Sequence, residues 1–261
     1  MKKPLIGLIC TLLILSITTI SWKPVAAGEL VSTSSNPFSA RELLEKYVNN
    51  IYEAAHLQES GLTFNVFKKA LTGFINLKIS NKLPQTSSIL TVIDFAKSSC
   101  EKRMWIIDLI NKQLVLNTWV AHGHGSGREV ASRFSDKINS FKSSLGFYLT
   151  DEVYYGKHGR SLRLNGMDPG FNANARAREI VVHAADYVGE NVIEEQGRLG
   201  CSQGCPAVAP EVADQVIDAI KDKTVIFING NASHYSSKYL DEGFAANFIA
   251  SDSTGNYIAG L

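Results

Sequence analysis

The chain has 261 residues, 20% of them charged, and its 26 Lys and Arg nearly balance 25 Asp and Glu, leaving a net charge of +1 at pH 7. No dense Lys/Arg block breaks that balance, which argues against nucleic acid as a partner, because phosphate binding needs a concentrated positive face. A hydrophobic content of 45% is enough for one good-sized core, or for a core with a small appended domain.

Met1-Lys2-Lys3-Pro4 is a short basic start, followed by an uncharged apolar run over residues 5–22 and then by Lys23-Pro24-Val25-Ala26-Ala27. Small residues at Val25 and Ala27 suit cleavage before Gly28. This predicts a signal peptide over residues 1–27 and an exported protein of the periplasm or cell envelope. The alternative is an inner-membrane anchor, since the run over residues 5–22 is marginally long enough to span a bilayer as a helix. Cys10 lacks the small residue before it that a lipoprotein needs, and reads as apolar filler. Beyond the leader the cysteines are Cys100, Cys201 and Cys205. In an oxidising compartment an odd number leaves one thiol unpaired, and Cys205 is the candidate.

Residues 31–37 form a polar linker. Ser39-Ala40-Arg41-Glu42 then makes a capping box, and Leu43, Leu44, Tyr47, Val48, Ile51 and Tyr52 follow at the three- and four-residue spacing of an amphipathic helix. A second helix starts at Thr63, with Phe67, Ala70, Leu71 and Phe74 on one face. Glu42, Glu45 and Glu53 make the polar side too acidic for a membrane surface, so both helices read as structural. From Thr86 the pattern turns to strands: residues 89–95, then 104–109 and 114–116 as a hairpin about Asn111-Lys112, then 145–149, 180–183 and 225–228. Pro210-Glu211 opens a helix with Val212, Val216 and Ile220 on one face. The expected fold is mainly β with a few helices, preceded by a small helical region. The divisions are a leader (1–27), a linker and helical region (28–85), a catalytic domain (86–230) and a C-terminal tail (231–261).

Four constellations could carry chemistry. In His122-Gly123-His124-Gly125-Ser126-Gly127 the glycine spacing is not that of a dinucleotide loop, and no lysine is present for a phosphate loop. His122 and His124 would share a face if a strand continued, which admits a metal site with His183. Further ligands at characteristic spacing are lacking, so no metal and no cofactor are expected, and a glycine-rich loop bordering a cleft is the favoured reading. Tyr148, Tyr154, Tyr155, Lys157 and His158 suit either a groove for a peptide or glycan or an ordinary surface hairpin. Arg160, Arg163, Arg176, Arg178 and Arg198 supply guanidinium groups, any of which could clamp a substrate carboxylate.

The fourth is Gly200-Cys201-Ser202-Gln203-Gly204-Cys205-Pro206, downstream of His183, which ends the run Ile180-Val181-Val182. A cysteine after glycine in a small-residue loop with a histidine folded against it is what a thiol nucleophile requires; an imidazolium beside it would lower the thiol pKa. Pro206 has no N–H, so an oxyanion hole must use the amides of Cys205, Gly204 or Gln203. Either Asp186 or the Ala184 carbonyl could orient the imidazole. A disulfide-bonded Cys205 with a core histidine is the competing reading.

His183 followed by Ser202-Gln203-Gly204-Cys205 resembles the signature of the murein L,D-transpeptidases, and the proline after the cysteine is similar to one branch of that family. Trp119-Val120-Ala121-His122-Gly123, Gly146-Phe147-Tyr148-Leu149-Thr150, Tyr155-Gly156-Lys157-His158-Gly159 and Asn174-Ala175-Arg176-Ala177-Arg178 carry the likeness across roughly residues 90–230. The resemblance implies a β-sandwich of the transpeptidase type, Cys205 as nucleophile, His183 as base, and the Ala184 carbonyl orienting the ring. Gly204 and Gln203 become the backbone oxyanion donors, and Ser202, Tyr148 and Arg163 the candidate substrate contacts. Gln203 and Ala207 depart from the histidine and arginine that many members carry, which leaves the substrate side of the site open.

The implied reaction uses a tetrapeptide stem of peptidoglycan. Cys205 attacks the carbonyl of the third residue, expels D-alanine and forms a thioester, which an amine of a second stem or of an envelope protein resolves. Water as acceptor would give an L,D-carboxypeptidase or endopeptidase with the same residues. A secreted peptidoglycan-binding module, its cysteines tied as Cys201–Cys205 or Cys100–Cys201, is the reading from another class.

Overall fold

Ser39 opens the first helix as the capping box predicts: its Oγ accepts from the Glu42 amide at 3.3 Å, and the Glu42 carboxylate accepts from the Ser39 amide at 2.6 Å. The computed structural model describes residues 38–251. The expected leader, the anchor alternative and the polar linker lie outside these residues. Helix α1 (Ala40–Ala54) buries Leu44, Val48, Ile51 and Tyr52, the stripe read from the spacing. Helix α2 (Phe64–Ile79) is buried nearly all round from Ala70 to Lys78, well beyond the single face expected. A helix enclosed on all sides belongs to the interior. On one side Gly73 passes so close to Phe147 that an added Cβ would lie 1.9 Å from its Cζ. On another, Asn76 Nδ2 donates to the carbonyls of Tyr239 and Asp241 at 2.8 Å each.

The strands are β1 (Ile89–Asp94), β2 (Met104–Asp108), β3 (Gln113–Thr118), β4 (Gly146–Gly156), β5 (Gly159–Gly166), β6 (Val181–Ala184), β7 (Ala207–Val208) and β8 (Val225–Asn229). They join in one hydrogen-bonded sheet of order β3-β2-β1-β8-β4-β5-β6-β7. The pairs β1–β8 and β6–β7 are parallel and the others antiparallel. Side chains alternate between two buried faces, as the period of a strand requires. Val92, Trp105, Ile107, Phe147 and Phe227 meet α1, α2 and helix α5 (Glu242–Ser251) on one face. Met104, Ile106, Tyr148, Ile226 and Ile228 meet Val216, Ile217 and Ile220 of α4 (Pro210–Ile220) on the other. The fold is therefore mainly β with a few helices and a helical region ahead of the strands, as expected.

Four elements were not read from the sequence: β5, helix α3 (Glu190–Gln196), β7 and α5. β5 alternates Arg160, Ser161, Leu162, Arg163 and Leu164, and its arginines mask a strand whose other face is buried. It pairs with β4 down to Gly156↔Gly159, leaving Lys157-His158 as a two-residue turn. Gly159 there has φ +74°, a conformation glycine adopts without steric cost. Among the described residues no helix is long and apolar enough to cross a membrane.

Candidate active site

His183 lies next to the end of β6, where it pairs with Ser161 of β5 on one side and Ala207 of β7 on the other. That parallel β6–β7 pairing turns a long sequence separation into proximity. The chain leaves β6, forms α3, returns, and enters β7 directly after Cys205-Pro206. Cys205 stands two residues before Ala207, the partner of His183. Cys205 and His183 border the same cavity of about 780 Å³.

The imidazole has a fixed tautomer. Its Nδ1 lies 2.7 Å from the Ala184 carbonyl, which can only accept, so Nδ1 carries the proton and Nε2 holds a lone pair. Asp186 makes no hydrogen bond to the ring among the described residues. The His158 ring stacks on that of His183, centroids 4.3 Å apart and 24° between planes. Burial pushes the His183 pKa down; the Ala184 hydrogen bond partly opposes this, and His158 and Lys157 add to it. Burial likewise pushes the Cys205 thiol up, against the Val181 backbone N–H and the Arg178 charge. At rest the site therefore holds a neutral thiol, whose Sγ lies 3.6 Å from the Glu179 carbonyl, and a neutral imidazole. The expectation was a thiol acidified by an imidazolium; here burial disfavours the charged form of both groups.

The loop before Cys205 is braced from within. Ser202 Oγ donates to the Cys205 carbonyl at 2.6 Å and accepts from the Gly204 amide at 3.0 Å. Ser143 Oγ in turn donates to the Gly204 carbonyl at 3.2 Å and accepts from the Gly123 amide at 3.0 Å. Gly204 has φ +129°, and a Cβ on Gly123 would sit 2.7 Å from the Gly204 Cα, so the two glycine loops meet backbone to backbone. The Gly204 amide is thereby engaged, contrary to its expected place in an oxyanion hole. The amides of Gln203 and Cys205 make no hydrogen bond among the described residues and stay available.

The expected substrate contacts divide. Ser202 is buried and spent on its own loop. Tyr148 is wholly buried, its hydroxyl bonded to Ser144 Oγ at 2.7 Å and to the Ser144 carbonyl at 3.0 Å, which makes it a core residue. Its place on β4 explains this: the side chain alternates onto the face that packs α4. Arg163 does border the cavity, with Nε 2.9 Å from Glu152 Oε1 and its guanidinium 4.1 Å over the Tyr154 ring. Of the other arginines, Arg160 pairs with Asp214 and Asp218, and Arg176 with Asp151 and Glu152. Arg198 Nη1 donates to the Leu199 carbonyl at 2.8 Å. Arg178 is turned inward, donating to the Ser135 carbonyl and Ser144 Oγ at 2.8 and 3.1 Å, and so holds the segment that covers the cavity.

His122 and His124 do not share a face. His122 is buried, with Nδ1 2.8 Å from an Arg103 Nη, and burial together with that guanidinium pushes its pKa down to about 4. His124 faces the cavity and stacks on Phe141 at 4.9 Å. The strand expected to align them stops before Ala121, and the two rings diverge. Among the described residues no group of three His, Cys, Asp or Glu is placed to hold a metal. Cys100, Cys201 and Cys205 are free thiols. Cys201 faces the Arg128 carbonyl and Arg198 rather than Cys205.

His158, His124 and Phe141 wall the cavity; the sequence pointed to His124 only as a metal ligand and to His158 only as part of a possible groove, and to Phe141 not at all. The signal for His158 was the Gly156-Lys157-His158-Gly159 turn, which sets a ring at a hairpin tip; the contact it makes depends on which strand lies beside β5.

A family model described as the L,D-transpeptidase catalytic domain matches residues 58–229. No curated protein matches the chain. Among solved structures, an L,D-transpeptidase from Mycobacterium smegmatis is 13% identical, covering 55% of this chain and 59% of that one at a TM-score of 0.34. L,D-transpeptidase 1 from Mycobacterium tuberculosis is 12% identical over 55% of this chain and 62% of that one, TM-score 0.31. The helical cell shape determining protein Pgp2 from Campylobacter jejuni is 13% identical over 72% and 66%, TM-score 0.36. The chain thus spans about three-fifths of the length of the two mycobacterial proteins.

Proposed function

The chain belongs to the L,D-transpeptidase catalytic domain family, and from that premise we propose that it is a cysteine acyltransferase acting on peptidoglycan stem peptides in the cell envelope. The observation that carries the reading is the imidazole held by the Ala184 carbonyl at 2.7 Å on the wall of the cavity that Cys205 also borders. A tetrapeptide stem enters this cavity with the carbonyl of its third residue against Cys205 Sγ. His183 Nε2 takes the thiol proton as sulfur attacks, and the resulting oxyanion is met by the free amides of Gln203 and Cys205. Collapse breaks the C–N bond; the leaving amine of D-alanine takes the proton from His183, and a thioester remains. An acceptor amine, from a second stem or an envelope protein, then gives its proton to His183 and attacks the thioester; the C–S bond breaks as the new amide forms, and His183 returns that proton to the Cys205 sulfur. No cofactor takes part.

A neutral resting pair suits this cycle. The thiol is ionised only when a substrate carbonyl is present, so a half-buried sulfur avoids standing as a thiolate in a compartment rich in oxidants. Ser202-x-Gly204-Cys205-Pro206 supports a reading of the chain as a member of the proline branch of the family, where the extended bias before proline leads Cys205 into β7. The test is incubation with purified muropeptides followed by product analysis. D-alanine release and cross-linked dimers support the reading; release of D-alanine without any amide product assigns water as acceptor, and no release at all removes the activity.

A further inference from the structure

The β4–β5 turn has no part in the steps above, yet it delivers the ring nearest the base. We propose that His158 is a positioning residue for His183, stacking on the imidazole so that its orientation depends on the hairpin tip. The inference rests on the reading of His183 as the base.

Two contacts define the His183 ring. The hydrogen bond from Nδ1 to Ala184 anchors one edge but leaves rotation about that bond, and the His158 ring closes off that freedom by covering a face at 4.3 Å and 24°. The hairpin that carries His158 is short. Its turn is two residues long, closed by the Gly156↔Gly159 pair, and β5 beneath it is hydrogen-bonded to β6, the strand that bears His183. The two rings are therefore held by neighbouring strands of one sheet.

The stack also bears on how readily His183 takes a proton. The ionisable groups sharing the cavity with His183 are His124, Tyr154 from β4, Lys157 and His158 from the turn, Arg163 from β5, Arg178 and Glu179 ahead of β6, Tyr187 after it, and Cys201 and Cys205. Arg163 has Glu152 beside it and Arg178 is bonded to the segment at Ser135 and Ser144. His158 alone lies face to face with the base. A basic ring at this separation disfavours a proton on His183 and keeps the base available to lower pH. The Coulomb effect of His158 on His183 has that sign.

The experiment compares wild type, His158→Ala, His158→Phe and His183→Ala by the pH profile of D-alanine release from muropeptides. It adds the NMR titration of the His183 ring in a Cys205→Ala background, a readout that needs no turnover. His158→Ala is expected to lower the kcat/KM plateau by about tenfold through loss of ring alignment. His158→Phe, which keeps a stacking ring without charge, recovers most of that loss. Both raise the His183 midpoint and carry the acid limb of the profile upward with it. A wild-type plateau and midpoint in both His158 variants, with His183→Ala inactive, overturns the inference and leaves the proposed function standing. A loss in both variants with an unmoved His183 midpoint overturns it equally. Undiminished turnover by His183→Ala removes the base itself, and the inference with it.

Discussion

Replacing Ser202 by Ala separates two accounts of the nucleophile loop. In the structure Ser202 Oγ is the sole partner of the buried Gly204 amide and also bonds the Cys205 carbonyl, at 3.0 and 2.6 Å. Truncation strands one donor and one acceptor, each costing about 1–3 kcal/mol when left unpaired in the interior. Water entering from the cavity side can serve the Cys205 carbonyl, so the lower part of the combined range, about 2–3 kcal/mol, is expected. For a protein of this size that is a drop in Tm of roughly 5–10 °C. The same bonds set the position of Cys205, and a displacement approaching 1 Å lowers turnover by up to about a hundredfold. Ser202→Thr keeps the hydroxyl and is expected to fall between the variants. Calorimetry and D-alanine release, run on the same preparations, give the result. A raised KM with unchanged kcat and unchanged Tm would make Ser202 a substrate contact and refute the bracing role.

The raised Cys205 thiol predicts slow alkylation by iodoacetamide at neutral pH, with a rate that climbs as pH rises beyond the ordinary thiol value of 9.0; a rate already at its maximum at pH 7 would contradict the neutral resting pair. His122 has a folded-state pKa of about 4 against 6.5 when unfolded, so the unfolded chain binds the extra proton between those values. Its contribution to stability is complete above pH 6.5 and is lost as pH falls toward 4, about 3 kcal/mol in all. Melting curves from pH 7.5 to 4.5 should fall steeply in wild type and less steeply in His122→Gln, and parallel curves would count against it. Gly73→Ala drives a methyl into the Phe147 ring, which is itself stacked on Phe227 at 4.6 Å, and is expected to cost about 1–3 kcal/mol by denaturant titration. An unchanged midpoint would mean that the helix can move off the sheet.

Much of this architecture is legible in the residues. The capping box at Ser39, the hairpin about Lys112 and the proline-led α4 each announce themselves through local chemistry, and each forms where expected. Cys205, His183 and the Ala184 carbonyl were singled out through ordered motifs; the structure bonds the His183 ring to that carbonyl and sets Cys205 on the same cavity. What the sequence hides is set by tertiary neighbours. Tyr148 has the polar tip of a binding residue, but strand alternation turns it inward, where Ser144 satisfies it. Ser202 and Gly204 look equally available in a small-residue loop, and only the folded turn shows them bonded to each other. The spacing of His122 and His124 suggests a shared face, yet Arg103 draws one ring into the core while Phe141 holds the other at the cavity. The breadth of α2 burial follows from Tyr239 and Asp241, far along the chain, which no local pattern can reveal.

The most direct test of the central claim is the intact mass of the protein during a single turnover with a disaccharide-tetrapeptide. The account predicts a transient adduct equal to the substrate less D-alanine, located on Cys205, formed in step with D-alanine release and absent from Cys205→Ala. D-alanine released at an undiminished rate by Cys205→Ala, or an adduct on any other residue, would contradict it.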